Sequence, residues 1–183
     1  MAEPAVHELT QSNPDVEIIW RAFELRPEPL PTLDAKGDYL QRAWNSSVYP
    51  LAARLGMNMK LPPLQPRSRL AHEGAHWARI QGRFDDYHEA IFRAFFERGE
   101  DIGDIVVLTS LASDLGLNAD SLRAALEKHE FEKSVLQDEH QAARIGVSGV
   151  PAFVADRKAS ASGVQSVESL QKLIEHVRNR GKG

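Results

Sequence analysis

The chain has 183 residues and a mass of 20.4 kDa, which suits one domain or a small domain with a second layer inserted into it. Hydrophobic residues make up 42% and charged residues 26% of the sequence, values that exclude a disordered or fibrous protein. The formal charge is −4, and the basic residues are scattered among acidic ones. Because no basic face is available to neutralise phosphates, nucleic acid is not a predicted partner.

Nothing in the sequence is typical of a membrane protein. No apolar run approaches the roughly 20 residues that span a bilayer. Residues 1–11 contain acids, a proline and a histidine where a signal peptide needs a basic start and an apolar stretch. We therefore predict a cytoplasmic protein with no membrane partner, and the absence of cysteine is consistent with that location.

The first elements in chain order are a short helix and a strand. Residues 4–11 predict one or two turns of helix, and the Asn-Pro-Asp turn at 13–15 is followed by β-branched and aromatic residues at 16–25. Apolar side chains occur on both faces of this segment, which predicts a sheet strand covered by helices. Three prolines within residues 26–31 then require an extended connector.

From Asp34 to Gly146 the apolar residues recur with a helical period. Asp104 and Asn118 are good N-caps, and Gly116 and Gly146 are typical helix ends. The pattern predicts helices at residues 39–55, 68–81, 84–98, 104–116, 118–129 and 130–145.

After Gly146 the pattern returns to strands. Residues 151–155 and 159–162 predict two short strands joined by a turn, and Ser166 caps a final amphipathic helix that reaches residue 178. A strand separated from its sheet partners by a helical block is typical of an α/β domain with an insertion.

Four segments, in this order, resemble the DsbA-like thioredoxin-fold proteins of the FrnE type. The run IWRAFELRP at residues 19–27 looks like the second strand of that group, and FRAFFERGEDIGD at 92–104 is similar to a signature of its helical insertion. The run GVSGVPAFV at 146–154 resembles its cis-proline loop, and SGVQ at 162–165 resembles its turn into the last helix.

The resemblance implies a thioredoxin-like α/β fold, with residues 1–32 and 146–183 as the thioredoxin-like domain and residues 33–145 as an all-helical insertion. It also implies a family activity of thiol–disulfide oxidoreduction, with a cis Val150–Pro151 bond that leaves the backbone of Val150 free to pair with an extended peptide. Val150 and Pro151 are therefore the predicted substrate-binding residues. No cofactor is predicted.

The catalytic thiol is absent from this sequence. Only a thiolate attacks a disulfide, so we predict that the cysteine-free chain is redox-inactive and has no catalytic residue. Two alternatives stay open: a remnant that binds an extended peptide or a small thiol, and a relative of the kappa-class glutathione transferase and chromene-carboxylate isomerase group. The tail at residues 24–27 fits the FrnE type better.

The family begins with a central strand, a Cys-x-x-Cys turn and a long helix, and Met1 is expected to fall within the end of that helix. Either the start of the gene is assigned too late or the protein has discarded its redox centre. An incomplete sheet exposes unpaired strand edges. We therefore expect either direct pairing of the strands at 16–25 and 151–155 or a homodimer, and the long helical block that connects these strands favours the homodimer.

The run His72-Glu73-Gly74-Ala75-His76 matches the H-E-x-x-H pattern of zinc metalloproteases. Gly74 weakens the helix that this pattern needs, and no third ligand stands out, so no metal site is predicted. His88 and the nearby residues Phe92, Phe95 and Phe96 are predicted to pack in the core. Residues 137–140 are predicted to be ordinary exposed surface.

Overall fold

The computed structural model describes residues 1–180, and these divide into two compact units. The first contains residues 1–21 and the described residues from 142 onward, and the second contains residues 22–141. The domain limits expected from the sequence, at residues 32 and 146, stay a prediction.

The first unit is a small sheet with two helices. Helix α1 spans Glu3–Ser12, and helix α9 spans Val167–Arg180. Strands β1 (Ala152–Ala155) and β2 (Ala159–Ser162) pair antiparallel, and they are joined by a turn in which Asp156 and Arg157 adopt positive φ. Buried Val6, Leu9 and Leu170 form its core, and Ile18, Trp20 and Phe153 are among the apolar side chains that pack against it.

The second unit is helical. Its helices are α2 (Asp38–Ala43), α3 (Tyr49–Arg54), α4 (Arg69–Ile80), α5 (Phe84–Arg93), α6 (Ile105–Asp114), α7 (Ala119–Glu127) and α8, which spans Glu132–Arg144 and continues into the first unit. The predicted caps are present, since Asp104 accepts from the Val106 N–H and Asn118 accepts from the Ser121 N–H. The main core is contributed by α4 to α7 and includes Trp77, Tyr87, Leu108, Leu122 and Leu126.

Two helices continue through π-helical turns, at Trp44–Val48 and Ala94–Arg98. The first lies directly before the turn that contains Pro50. Proline has no N–H for the normal helical bond, so the helix reaches Pro50 with a wider turn instead of ending. The single helix predicted at residues 39–55 is therefore continuous but not regular.

The strand predicted at residues 16–25 is wrong. Among the described residues the sheet contains β1 and β2 alone, and residues 16–24 have no regular secondary structure. The expected burial of both faces is also wrong, because Ile19 and Leu25 are 55% and 62% exposed. A strand needs a backbone ladder, and this segment is bound by side chains instead: the Ala22 N–H donates to Asp138 of α8, and the Glu24 carboxylate pairs with Arg69 of α4. Direct pairing of this segment with β1 does not occur.

Candidate functional site

The Val150–Pro151 bond is cis and lies immediately before β1. The Pro151 carbonyl accepts from the Gly163 N–H at 2.8 Å, which makes these two residues a hydrogen-bonded pair of the antiparallel ladder. Hydrogen-bonded pairs alternate along such a ladder, so Phe153 and Ala155 also bond to β2. The backbone groups of Ala152 and Val154 consequently point away from β2.

This open edge of β1 is apolar and accessible. Val150 is 50% exposed and Val154 is 40% exposed. Within residues 1–180, no hydrogen bond engages the backbone N–H or C=O of Val150. An extended chain could therefore add to β1 from this side by main-chain hydrogen bonds. The assignment of Val150 and Pro151 as substrate-binding residues stays a prediction.

The H-E-x-x-H residues lie on α4, but they have separate partners. Burial lowers the pKa of His72, and His76 Nε2 lies 3.2 Å from Asp138 Oδ2. Glu73 is fully buried and contacts His129 Nδ1 through Oε1 at 3.0 Å. Across the described part of the chain, no group of three or more His, Cys, Asp or Glu side chains is arranged to hold a metal ion.

A polar cluster joins residues 22–24 to α4 and α8. Arg69 forms an ion pair with the buried carboxylate of Glu24 and lies 3.2 Å from Glu132. Burial, followed by a hydrogen bond with Glu24, raises the pKa of Glu139. On the same side, Asp138 Oδ2 accepts the backbone N–H of Ala22 at 3.0 Å.

The prediction of ordinary exposed surface at residues 137–140 is wrong for two positions. Asp138 is 4% exposed and Glu139 is partly buried, whereas His140 is exposed. Sequence reasoning missed Asp138, Glu139 and their partner Arg69. One signal was available. Val135, Asp138 and Gln141 are spaced three residues apart and share one face of the helix, and the apolar Val135 indicates that this face is buried.

His88 packs between two aromatic rings, as predicted. Its ring centroid lies 5.0 Å from that of Phe84 and 4.7 Å from that of Phe92. Burial, followed by the charges of His72 and Arg79, lowers the pKa of His88 to about 4, so this imidazole is neutral at physiological pH. Phe95 and Phe96 are partly buried as expected, but Phe92 is 37% exposed.

The profile of the DSBA-like thioredoxin domain family matches residues 1–175. The chain therefore belongs to this family. It is also 37% identical to the Bacillus subtilis (strain 168) protein YwbO over 144 residues, which are 76% of this chain and 72% of that protein.

Solved structures share its fold. A probable DsbA oxidoreductase, SCO1869 from Streptomyces coelicolor, superposes with a TM-score of 0.81 at 24% identity over 97% of this chain and 83% of that one. A 2-hydroxychromene-2-carboxylate isomerase superposes with a TM-score of 0.78 at 16% identity over 99% of this chain and 90% of that one. The predicted thioredoxin-like α/β fold with a helical insertion is confirmed, in a helix-rich form with a two-stranded sheet. No helix of the 180 described residues is long and apolar enough to cross a bilayer.

Proposed function

We propose that this chain binds an extended peptide or a small thiol at the Val150–Pro151 turn and that the 183 residues alone do not exchange disulfides. The observation that supports binding is the unengaged backbone of Val150 at the accessible edge of β1. An incoming strand would gain hydrogen bonds there without breaking any in the protein, so the edge needs no rearrangement before binding. The absence of cysteine supports the second half of the proposal.

We also propose a subgroup of the family for this chain. The runs at residues 19–27 and 92–104 support assignment to the FrnE type within the DsbA-like family. In the same proposal the protein acts in the cytoplasm, which fractionation of cells would test.

The test is a titration with two probes, reduced glutathione and a cysteine-free peptide of about six alternating apolar and polar residues. In spectra of the ¹⁵N-labelled chain, we expect the peptide to shift the amides of Val150, Ala152 and Val154. Replacing Val150 with proline removes the donor N–H. Because a hydrogen bond contributes about 0.5–1.5 kcal/mol, peptide affinity should fall by roughly 2- to 10-fold.

The matched control is Ser160→Pro. By the same alternation, the N–H of Ser160 points away from β1, at the opposite edge of the two-stranded sheet. Ser160 lies within β2 whereas Val150 precedes β1, so this proline perturbs the hairpin at least as much, and the variant should still keep wild-type affinity. Equal weakening by both substitutions, or peptide shifts confined to other residues, would contradict binding at Val150.

A second candidate is an isomerase, supported by the superposition with the 2-hydroxychromene-2-carboxylate isomerase over nearly the whole chain. It differs from the binding proposal in requiring turnover. Conversion of 2-hydroxychromene-2-carboxylate in the presence of glutathione would favour it. Glutathione binding without conversion would favour the small-thiol form of the binding proposal.

A further inference from the structure

Residues 16–20 alternate in burial as a strand does, but they have no strand partner. Ile18 and Trp20 are partly buried, whereas Glu17 and Ile19 are exposed. A period of two is typical of an extended chain with one face on a core. Within residues 1–180, the backbone groups of Glu17, Ile18 and Ile19 form no hydrogen bond. The segment therefore has the side-chain pattern of a strand and an unused set of backbone donors and acceptors.

The open edge of β1 lies in the same compact unit as this segment. Phe153 of β1 packs against the apolar core of the unit, and Ile18 and Trp20 pack against the same core. The backbone groups of Ala152 and Val154 point away from β2, and β2 is the single strand that pairs with β1 among the described residues. One core thus supports two segments that each have an unpaired backbone.

We propose that residues 17–19 and the open edge of β1 border one slot, and that an extended peptide enters this slot as a strand paired on both sides. The slot includes the Val150 edge of the proposed function and therefore rests on that proposal, to which it adds a second edge. An inserted strand would bond to Ala152 and Val154 on one side and to residues 17–19 on the other. Insertion roughly doubles the main-chain hydrogen bonds that addition to β1 alone would provide.

The side chains that border the slot define the class of peptide. On the core side, an inserted strand would have Phe153 and Ile18 as neighbours. On the opposite side its neighbours would be Val154 and Ile19, which are both exposed. Both faces of the inserted strand would therefore contact apolar side chains. The preferred peptide has uncharged β-branched residues at consecutive positions, as in a strand that is covered on both faces, and does not alternate apolar with polar residues.

The test uses the ¹⁵N-labelled full chain and a cysteine-free peptide of about five consecutive valine, isoleucine and threonine residues with a lysine at each end. We expect this peptide to shift the amides of Ala152 and Val154 and those of Ile18 and Ile19 with one dissociation constant. The alternating apolar and polar peptide should bind about 2- to 5-fold more weakly for each apolar neighbour that it loses.

The same titration separates the slot from the binding proposed at β1. Shifts at Ala152 and Val154 without any at Ile18 and Ile19 would overturn the slot and leave addition to the β1 edge intact. No shift at any of these four amides would overturn both proposals. Tighter binding of the alternating peptide would also overturn the slot, because it would show that one face of the bound strand is in water.

The test variant is Ile19→Gln, which replaces an apolar neighbour of the inserted strand with an uncharged polar one. Its binding of the β-branched peptide should weaken by about 2- to 5-fold. The matched control is Ile80→Gln at the last residue of α4, where the isoleucine is also exposed. This control should keep wild-type affinity. Wild-type affinity in Ile19→Gln, or equal weakening by both substitutions, would contradict the slot.

A second copy of the chain is the competing occupant, so the protein concentration is varied as well. In the absence of peptide, a second copy in the slot would shift Ile18 and Ile19 as the protein concentration rises. We expect excess peptide to replace any such signal with the peptide-bound one. Concentration-dependent shifts that resist excess peptide would overturn a peptide as the occupant.

Discussion

Gly74 packs against the ring of Tyr87 in the core of the helical unit. A Cβ atom at position 74 would lie 3.0 Å from both Cε1 and Oη of Tyr87. The ring cannot move away easily, because Tyr87 is fully buried and its hydroxyl donates to the Leu108 carbonyl at 2.9 Å. Burial also raises the pKa of Tyr87, so the hydroxyl remains a donor at any pH at which the protein folds.

We expect Gly74→Ala to destabilise the helical unit. Alanine gains about 1 kcal/mol in helix propensity over glycine, but overpacking a tight core costs about 1–3 kcal/mol. The crowding should exceed the propensity gain and lower the free energy of unfolding by about 1 kcal/mol, measured by urea denaturation. Gly149→Ala is the control, since an added Cβ at position 149 meets no atom within 4 Å. A stabilised Gly74→Ala protein would show that Tyr87 moves aside freely.

Residue chemistry was predictable at some sites and not at others. His88 was correctly expected to pack, because its four-residue spacing from Phe84 and Phe92 places all three rings on one helix face. Asp138 was expected on the surface, because its sequence neighbours are polar. Its spacing from Val135 indicated a shared helix face, but its partners are His76 and the backbone N–H of Ala22, which is 116 positions away, and no local pattern identifies such distant partners.

At the scale of elements, helices were predicted well because their bonds and caps are local. Asp104 and Asn118 begin helices through bonds to residues two or three positions later, so the sequence alone contains both partners. The segment at residues 16–25 has the composition of a strand, but a ladder needs a second backbone at the right distance. Ala22 and Glu24 instead bind the side chains of Asp138 and Arg69. The strand prediction failed because it used the segment's own pattern and did not test for a second strand to pair with.

Both strands of the β1–β2 hairpin were predicted correctly, because each strand has its pairing partner nearby in the sequence. Its two strands are joined by three residues, and Asp156 and Arg157 provide the positive φ angles that a tight connection needs. Partner and turn are thus contained within twelve residues or so of sequence, and the pairing register follows from the turn. The apolar edge of β1 remains unpaired, and this too follows from the sequence and the pairing register.

For the whole molecule, the absence of cysteine leads to a direct functional test. Disulfide exchange passes through a mixed disulfide with a protein thiolate, and this chain has no thiol to form one. In an insulin-reduction assay with dithiothreitol, the purified chain should give the rate of the protein-free blank. A control with the same amount of serum albumin excludes effects of protein on insulin precipitation. Reproducible turnover above both would contradict the prediction that the chain is redox-inactive.

Self-association is the second expectation for the whole molecule, and it rests on the open edge of β1. The edge residues Val150, Ala152 and Val154 are uncharged, and charged side chains are the usual protection of an exposed strand. The backbones of Glu17, Ile18 and Ile19 also lack hydrogen-bond partners within residues 1–180, and Ile19 is exposed. The chain thus presents two segments that another copy could pair with.

We expect a homodimer in light scattering at micromolar concentration, with twice the 20.4 kDa mass of the chain. Val154→Lys adds a charge at the β1 edge and should shift the protein towards the monomer, whereas Ser160→Lys on β2, its partner in the ladder register, should not. Because a bound peptide and a second copy would use the same edge, excess peptide should also dissociate the dimer by mass action. A wild-type protein that stays monomeric and melts cooperatively at all concentrations would contradict the homodimer. It would show that water hydrogen-bonds the open backbone groups of β1 in the absence of a bound peptide.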